Sequence, residues 1–436
     1  MPGRLEFEFS ALPPAARPRS PRTARRLLLV GDFSGQPAAE RRPLADRPTH
    51  RVDIDNLDSV LARLAPRLHG AAGTVDFEQL EDFHPDALYT RLDLFQALRD
   101  ARRAPPQKAA DLLGALLGGP AAAAPAASPA AGGIDELIRR VVAPHIVPDT
   151  RAETAAYLAA VDAAIAEQMR QLLHDPAFQA LESAWRGVQW LVSRLELDES
   201  LQLHLFDATR DELLADVVAA QGQLANTGLY RALADRWRNV PGGEPWALLA
   251  GLYGFGGSDA DVGLLAALGL IAAQAGGPFI ARGDEALAVA PTTGWQALRR
   301  SEAAPSIGLA APRVLLRLPY GKATDPVSAF AFEEFAGAPE HEHFLWGHPA
   351  LAVALLVGRG GDSQQIDDLP AYTFTQDGER ELQACAERYL GEAAGNALLA
   401  AGLMPVMSHR HRNAVTVMRL QSVAEPATAL AGLDRS

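Results

Sequence analysis

The chain has 436 residues, of which 48% are hydrophobic and 21% are charged, and its formal net charge is −13 at pH 7. This length accommodates roughly two or three domains with a sizeable core, and the acidic balance argues against a general nucleic-acid binder, because phosphate recognition requires a basic surface. The single cysteine, Cys385, excludes an internal disulfide framework and fits a reducing cytoplasm. We predict that Cys385 is a buried helix residue.

The sequence carries no recognisable signal for export or membrane insertion. Residues 10–26 are polar and rich in proline and arginine, and only four apolar residues follow, Leu27 to Val30. The longest apolar stretch, around residues 262–275, is rich in alanine and glycine and too short to span a bilayer. We therefore expect a soluble, cytoplasmic protein.

Strand and helix signals alternate in the first hundred residues. Residues 25–35, RRLLLVGDFSG, predict a short buried strand that enters a tight turn. Residues 55–68 space apolar side chains along one helix face, with Asp55 or Asn56 as the N-cap. TVDFEQL alternates like a strand, and the step from His84 to Pro85 begins another helix. Together these elements predict a small α/β unit.

Residues 116–133, LLGGPAAAAPAASPAAGG, form a low-complexity tract without charged residues. Such a composition cannot build a core and is typical of a flexible linker. We therefore divide the chain into residues 1–104, a linker at 105–133, and residues 134–436.

Helices dominate the sequence immediately after the linker, at residues 134–142 and 152–173. The next helix follows Asp175 as N-cap and Pro176 at its first position. Its polar face offers Glu182 and Arg186 as a pair four residues apart. The apolar side chains that recur at helical spacing are Phe178, Leu181, Trp185, Val188 and Val192. Trp185 also brings an indole donor that requires a partner.

The remaining sequence continues as alternating strand and helix signals, which predict a mixed sheet covered by helices and hence an α/β fold. The segments are LQLHLFDA, EPWALLAGLYGFG, DVGLLAALGLIAAQAG, PFIARG, PRVLLRLPYG, GHPALAVALLVG, LPAYTFTQDG, CAERYLGEAAGNALLAAG and LMPVMS.

Two glycine-containing turns resemble ligand loops only superficially. GLYGFGGSDAD, which begins at Gly251, fits neither the dinucleotide fingerprint nor the P-loop spacing. Ser34 in GDFSGQ lacks the spacing of a nucleophile elbow, and no histidine or aspartate partner can be nominated for it. We interpret both segments as turns at strand ends and predict no catalytic or cofactor-binding residues.

Histidine and carboxylate clusters also favour ordinary surface roles. The pairs in HEH (341–343) and HRH (409–411) could place two imidazoles on one side of a strand, but no further ligands accompany them at metal-binding spacing. We expect exposed loop histidines and no metal site. FEEF (332–335) holds adjacent carboxylates that point to different sides, which indicates a solvated or ion-paired edge instead of an acid/base pair.

Aromatic, proline and arginine residues are dense in APRVLLRLPYG, FEEF and FLWGHPA, without catalytic spacing. Arg313 and Arg317 alternate with apolar positions, and their guanidinium groups are suited to ion pairs within or between subunits. This pattern favours an assembly surface.

Several of these segments resemble a known family pair. RRLLLVGDFSG, IDNLDSVLARLAP, FEQLEDFHPDALY and LFQALRDARR resemble, in order, the small contractile-sheath subunit of the type VI secretion system, the TssB family. LLHDPAFQALESAWRGVQWLV, EPWALLAGLYGF, PFIA, IGLAAPRVLLRLPYGKATDPVSAFAFEE, FLWGHPA and GLMPVMS resemble the large sheath subunit, the TssC family. The whole looks like a natural fusion of a TssB-like and a TssC-like subunit.

The resemblance implies a mechanical, non-enzymatic protein without a cofactor. Sheath subunits polymerise around an inner tube of haemolysin-coregulated protein, and contraction between two packings of one repeated surface drives the tube outward. The implied partners are other sheath subunits or copies of the chain, the tube protein, the baseplate and a recycling AAA+ ATPase. The resemblance implies neither nucleic-acid binding nor membrane insertion.

The resemblance also nominates structural or interface residues: Asp32, Phe33, Phe83, Pro85, Phe178, Leu181, Glu182, Trp185, Arg186, Tyr253, Pro312, Arg313, Arg317, Pro319, Tyr320 and Trp346. Relative to the family pattern, Leu252 replaces an acidic residue, and the C-terminal elements that grip the tube and knit neighbouring subunits are expected to be missing. An accessory or capping protein that does not polymerise alone is therefore an alternative. A nucleotide-binding enzyme that uses the glycine-rich turns is a second alternative.

Overall fold

The structure, a computed structural model, describes residues 24–70, 73–103, 150–236, 243–360, 364–376 and 378–432. We call the described residues up to 103 the N-terminal region and those from 150 onward the C-terminal region. The predicted linker and the predicted helix at 134–142 lie outside the described residues. Within the described ranges, no helix is both long enough and apolar enough to cross a membrane.

The strands of the described residues are, in chain order, β1 (Arg25–Gly31), β2 (His50–Val52), β3 (Arg67–Gly70), β4 (Gly73–Asp76), β5 (Leu201–Asp207), β6 (Leu248–Phe255), β7 (Phe279–Gly283), β8 (Ile307–Ala311), β9 (Val314–Leu315), β10 (Trp346–Gly347), β11 (Gln365–Ile366), β12 (Tyr372–Gln376), β13 (Glu379–Gln383), β14 (Leu403–Ser408) and β15 (Val415–Val417).

The α-helices of the described residues are α1 (Leu57–Leu64), α2 (Pro85–Arg91), α3 (Asp93–Arg103), α4 (Thr150–Leu173), α5 (Pro176–Val192), α6 (Arg210–Ala219), α7 (Gly228–Tyr230), α8 (Asp259–Ala275), α9 (Ala286–Val289), α10 (Thr293–Arg299), α11 (Pro349–Gly358) and α12 (Glu392–Ala400). A π-helical turn, Arg231–Asp235, continues from α7.

The described residues form two compact units. The first unit takes its residues from 24–66, 181–317 and 345–432, and the second takes them from 67–103, 150–180 and 318–344. Each unit therefore combines part of the N-terminal region with part of the C-terminal region. Helix α5 contributes its first turn to the second unit and its remaining residues to the first.

A nine-stranded sheet in the order β11-β15-β14-β8-β7-β6-β1-β5-β2 forms the centre of the first unit. The strands from β14 to β5 are parallel, whereas β2 on one side and β15 and β11 on the other pair antiparallel. Successive residues of β8 are all buried, so both faces of this strand are covered, as expected for parallel sheets. Helices α8 and α11 pack against the central strands. The predicted mixed sheet covered by helices is confirmed.

Aromatic side chains form the core of the second unit. The rings of Phe77 and Phe83 are stacked with centroids 4.1 Å apart, and the ring of Phe178 lies edge-on to Phe83 at 5.8 Å. Phe77 and Phe83 come from the N-terminal region, whereas Phe178 comes from the first turn of α5. Helix α3 of the N-terminal region packs against α4 of the C-terminal region in the same unit.

The predicted start of α5 is confirmed. The Asp175 carboxylate oxygen Oδ1 accepts hydrogen bonds from the backbone N–H groups of Ala177 at 2.9 Å and Phe178 at 3.0 Å. A carboxylate at this position satisfies donors that the first helical turn leaves free, and Pro176 has no N–H to satisfy.

Three predicted elements differ in the structure. Helix α1 ends at Leu64, not near Leu68, because Ala65 adopts φ 46° and precedes Pro66, which disfavours helical backbone before it. In PRVLLRLPYG only Val314–Leu315 is a strand, and the sheet strand is the preceding β8, since Pro312 has no N–H for a ladder. Cys385 is buried as predicted but lies in a bend, not in a helix.

Candidate functional site: contacts between the two regions

Strand β1 of the N-terminal region lies between two strands of the C-terminal region. It pairs in parallel with β5 from Arg25↔Leu201 to Gly31↔Asp207, and with β6 from Leu27↔Leu248 to Val30↔Gly251. The side chains of Leu27 to Val30 are at most 2% exposed. Because both edges of β1 are paired with the C-terminal region, the N-terminal region supplies a central strand of the sheet.

The predicted residue Phe33 follows β1 and contacts the predicted residue Trp185. The backbone carbonyl oxygen of Phe33 accepts a hydrogen bond from the indole Nε1 of Trp185 at 2.9 Å, and the two rings meet edge-on at 5.7 Å. Both side chains are fully buried. The indole donor therefore has its partner, and this contact joins helix α5 to the turn after β1.

Asp207 at the end of β5 binds the same turn, and sequence reasoning missed it. Its carboxylate oxygen Oδ1 accepts from the backbone N–H groups of Phe33 at 2.8 Å and Ser34 at 3.1 Å, while Oδ2 accepts from the Ser34 hydroxyl at 2.7 Å. Burial raises the pKa of Asp207, and the nearby Arg41 guanidinium opposes that rise. One signal in the sequence could have indicated this contact. Asp207 ends one strand and the turn follows another, and the carboxyl ends of neighbouring parallel strands meet at one edge of a sheet.

Two arginines from the connection between β1 and β2 complete this edge. Arg41, whose side chain is 3% exposed, contacts the predicted residue Asp32 at 2.6 Å and both Asp207 and Glu212 at 3.4 Å. Arg47 pairs with Glu212 at the start of α6. These ion pairs lower the pKa of Glu212, although burial alone would raise it.

The carboxyl edge of the parallel strands is where open α/β sheets usually bind ligands. Here the chain's own Arg41 lies against Asp207 in that position. Two donors of the glycine-rich turn after β6 are also bound by a nearby side chain. The Asp261 carboxylate accepts from the Ser258 hydroxyl at 2.7 Å and from the backbone N–H of Gly256 at 3.2 Å. In the described parts of the chain, no group of His, Cys, Asp and Glu residues could hold a metal ion.

A second buried carboxylate lies on helix α5. Glu182 is fully buried and accepts hydrogen bonds from Arg186 at 2.6 Å and from Arg317 at 2.9 Å. The expected pairing of Glu182 with Arg186 is therefore present, but Glu182 does not lie on an exposed polar face. Arg317 was expected to form an ion pair, and its contact with Glu182 ties α5 to the segment after β9.

The remaining nominated residues of the first unit also make contacts inside that unit or are buried in it. The Tyr253 hydroxyl donates to the carbonyl of Ala208, and burial raises the pKa of Tyr253. Arg313 pairs with Glu387 at 2.6 Å and lies 5.9 Å from the ring of the buried residue Trp346. Two further nominated residues are buried in this unit, Leu181 and Pro312.

In the second unit, nominated residues of both regions lie in the interior or in contacts between the two regions. Phe83 contacts Phe178, as described above. The ring of His84 lies edge-on to the ring of Tyr320, with centroids 5.0 Å apart. Pro85 is buried at the first position of α2. Pro319 precedes Tyr320 and is also buried.

FEEF and HEH each contain one residue that is less exposed than expected, Glu334 and His343, whereas Glu333 and His341 are exposed. Glu334 is 1% exposed and accepts a hydrogen bond from the backbone N–H of Tyr320 at 2.7 Å, so it is not a solvated carboxylate. His343 is half-buried and stacks on His174 with ring centroids 3.9 Å apart. Burial lowers the pKa of His343. Periodicity could not reveal either contact, since both depend on distant segments of the chain.

Comparisons with known proteins match the two regions separately. Residues 155–292 and 284–424 match the family model described as "EvpB/VC_A0108, tail sheath N-terminal domain". Residues 24–122 match the model described as "Type VI secretion system, VipA, VC_A0107 or Hcp2".

Two relatives from Pseudomonas aeruginosa agree with these matches. The chain is 31% identical over 308 residues to the type VI secretion system sheath protein TssC1, covering 62% of the chain and 61% of TssC1. It is 31% identical over 85 residues to the sheath protein TssB1, covering 17% of the chain and 49% of TssB1. The chain thus spans less than two thirds of each relative. With both family models matched in order along one polypeptide, the chain belongs to the type VI secretion sheath family and combines its VipA-like (TssB-like) and VipB-like (TssC-like) parts.

Proposed function

We propose that the protein is a structural component of a type VI secretion contractile sheath or a sheath-like assembly. In this proposal residues 1–104 act as the small subunit, residues 134–436 act as the large subunit, and residues 105–133 join them. The protein works through its contact surfaces in the cytoplasm and is not an enzyme. The nominated residues hold the subunit in the form that presents those surfaces.

One observation supports this proposal most strongly. Strand β1 has the C-terminal region on both edges, so the sheet of the first unit is complete only when a TssB-like and a TssC-like region combine. The two regions therefore form one building block, as expected if the chain joins a small and a large sheath subunit.

The building block can be tested by cutting the chain. A protease site placed within residues 121–131 should allow cleavage into two fragments that remain together in size-exclusion chromatography, since β1 stays paired on both edges. A matched chain with the same site before residue 24 controls for the protease treatment. Separation into two folded, independent fragments would contradict the proposal.

Assembly can be tested by electron microscopy of the purified protein, alone and mixed with the tube protein and with conventional sheath subunits. Tubes that contain the protein and enclose the inner tube support the sheath function. Tubes that form only with conventional subunits support the accessory alternative. A protein that remains dispersed in every mixture contradicts both.

The nucleotide-binding alternative predicts a different result. A nucleotide present at a hundredfold over its dissociation constant would add about 2.7 kcal/mol to the free energy of unfolding. We expect no such stabilisation, since the ion pairs of Arg41 occupy the sheet edge where a nucleotide would bind. Thermal unfolding with and without nucleotides measures the difference.

A further inference from the structure

The turn after β1 directs three hydrogen-bond donors at one carboxylate. Two are consecutive backbone N–H groups, those of Phe33 and Ser34, and the third is the Ser34 hydroxyl. Consecutive backbone N–H groups in a turn form a concave site that suits anions. All three donors bind Asp207, whose position in the sequence is more than 170 residues away from this turn.

A positive side chain completes the surroundings of that carboxylate. The Arg41 guanidinium lies 3.4 Å from Asp207 Oδ2 and is itself held by Asp32 and Glu212. Arg41 belongs to the same region as the turn, so every one of these donors to Asp207 comes from the N-terminal region. The anion they bind comes from the C-terminal region.

We propose that the turn Asp32–Gly35, together with Arg41, is an oxyanion receptor whose ligand is the Asp207 carboxylate, and that it selects the large-subunit-like region as partner for the small-subunit-like region. This inference rests on the proposed function, because it concerns how the two parts of the building block recognise each other. The ligand class is a carboxylate, which matches two N–H donors and a hydroxyl with its two oxygens. A small carboxylate from solution therefore fits the same place once the Asp207 side chain is removed.

A matched control lies just before the same strand, β5. At the opposite end of β5, Asp198 Oδ1 also accepts from two consecutive N–H groups, Ser200 at 2.6 Å and Leu201 at 3.0 Å, and from the Ser200 hydroxyl at 2.7 Å. These donors are local and the carboxylate is exposed to solvent. Asp198 therefore has the donor set of Asp207 without its burial, and these donors to its carboxylate come from its own segment. Its contact with the N-terminal region is the hydrogen bond that Arg51 donates to its backbone carbonyl at 2.9 Å, and Asp198→Gly keeps that carbonyl.

The test compares Asp207→Gly with Asp198→Gly in the full chain by thermal unfolding. We expect Asp207→Gly to melt well below Asp198→Gly, because it leaves three buried donors without their acceptor and removes one of the three carboxylates around the buried Arg41 guanidinium. Sodium formate should raise the melting temperature of Asp207→Gly more than sodium chloride at equal ionic strength. It should leave the original protein and Asp198→Gly unchanged. Equal responses of Asp207→Gly to formate and chloride would overturn the receptor.

A double-mutant cycle covers the case in which Asp207→Gly does not fold. Ser34→Ala and Asp207→Asn each weaken the contact while keeping the backbone, and the double variant should lose less stability than the two single losses added together. Additive losses would overturn the proposed contact.

Recognition between the two regions is measured with the chain that a protease has cut within residues 121–131. Asp207→Gly should release the N-terminal fragment at a lower denaturant concentration than Asp198→Gly, and formate should restore part of its retention. Equal release from the two variants would overturn the selective role. The formate effect on melting is independent of tube formation, so failure of this inference and failure of the sheath function give different results.

Discussion

The N-terminal region is held by different interactions in the two units. In the first unit, β1 is paired on both edges and is flanked by buried hydrogen bonds and ion pairs, such as those of Trp185 and Arg41. In the second unit, the described contacts include aromatic packing around Phe83 and the exposed ion pair Arg102–Asp162. Backbone pairing specifies one register and one partner, whereas aromatic packing depends chiefly on the buried area and shape.

This comparison predicts its largest effect for Trp185→Ala in the first unit. The substitution removes a buried indole and leaves the Phe33 carbonyl without its donor, so we expect the free energy of unfolding to fall by about 3–5 kcal/mol. Denaturant unfolding measures the loss. Trp185→Phe keeps most of the ring volume and should lose much less. An unchanged unfolding midpoint for Trp185→Ala would contradict the role of this contact.

The second effect is acid sensitivity of the first unit. Burial, with Arg26 and Arg51 nearby, lowers the pKa of His204 to about 3, and burial lowers the pKa of His348 to about 3. The unfolded chain binds these protons near pH 6.5, before the folded chain does, so stability is fully present above pH 6.5 and falls as the pH drops toward 3. The slope is at most about 1.4 kcal/mol per pH unit for each histidine.

His204→Gln and His348→Gln test this effect. Each variant removes one titrating group, and in His348→Gln the new side-chain amide still offers a donor to the Tyr253 carbonyl, which His348 contacts at 2.9 Å. Unfolding measured between pH 7 and pH 4 should show a smaller loss of stability in each variant than in the original chain. Identical pH profiles in all three proteins would show that neither histidine is neutral in the fold.

A smaller effect is expected for Phe83→Leu in the second unit. The substitution keeps an apolar side chain of similar size but removes the ring contacts with Phe77 and Phe178, so the expected loss is about 1–2 kcal/mol. Denaturant unfolding is again the measurement. A loss as large as that of Trp185→Ala would mean that the second unit is as exacting in its packing as the first.

The smallest effect is expected for Arg102→Ala. Arg102 and Asp162 contact each other at 2.6 Å, but about half of each side chain is exposed, and exposed ion pairs contribute up to about 1 kcal/mol. Added salt should reduce whatever difference exists between this variant and the original protein. A loss of several kcal/mol that salt does not change would make this pair part of the buried network instead.

Much of the fold was predictable because local patterns agree with the structure. The Asp175 cap, the apolar face of α5, the buried helix α8 and the strands β1, β5, β6 and β7 follow from periodicity and capping residues. Strand β8 was missed because IGLAA is short and its small residues do not distinguish a strand from a turn. The burial of Glu334 was missed because its donor, the Tyr320 backbone, belongs to a loop that periodicity does not describe.

The candidate site was predictable only in part. Phe33 and Trp185 were nominated as structural or interface residues, and the structure places both in the core, in contact with each other. Asp207 and Arg41 were not nominated, since nothing near either residue in the sequence indicates a partner. Their pairing requires β1 and β5 to be neighbours, which is decided by the order of strands in the sheet.

The sequence alone determined most of the helices and strands, where α5 starts, and that the chain combines two sheath-like parts, because these depend on local spacing, capping and recognisable motifs. Only the tertiary structure decided that β1 lies between two strands of the C-terminal region, and that Asp207 and Glu182 each accept hydrogen bonds from a distant segment of the chain. The physical reason is that strand order and the solvation of a carboxylate are set by residues far apart in the chain.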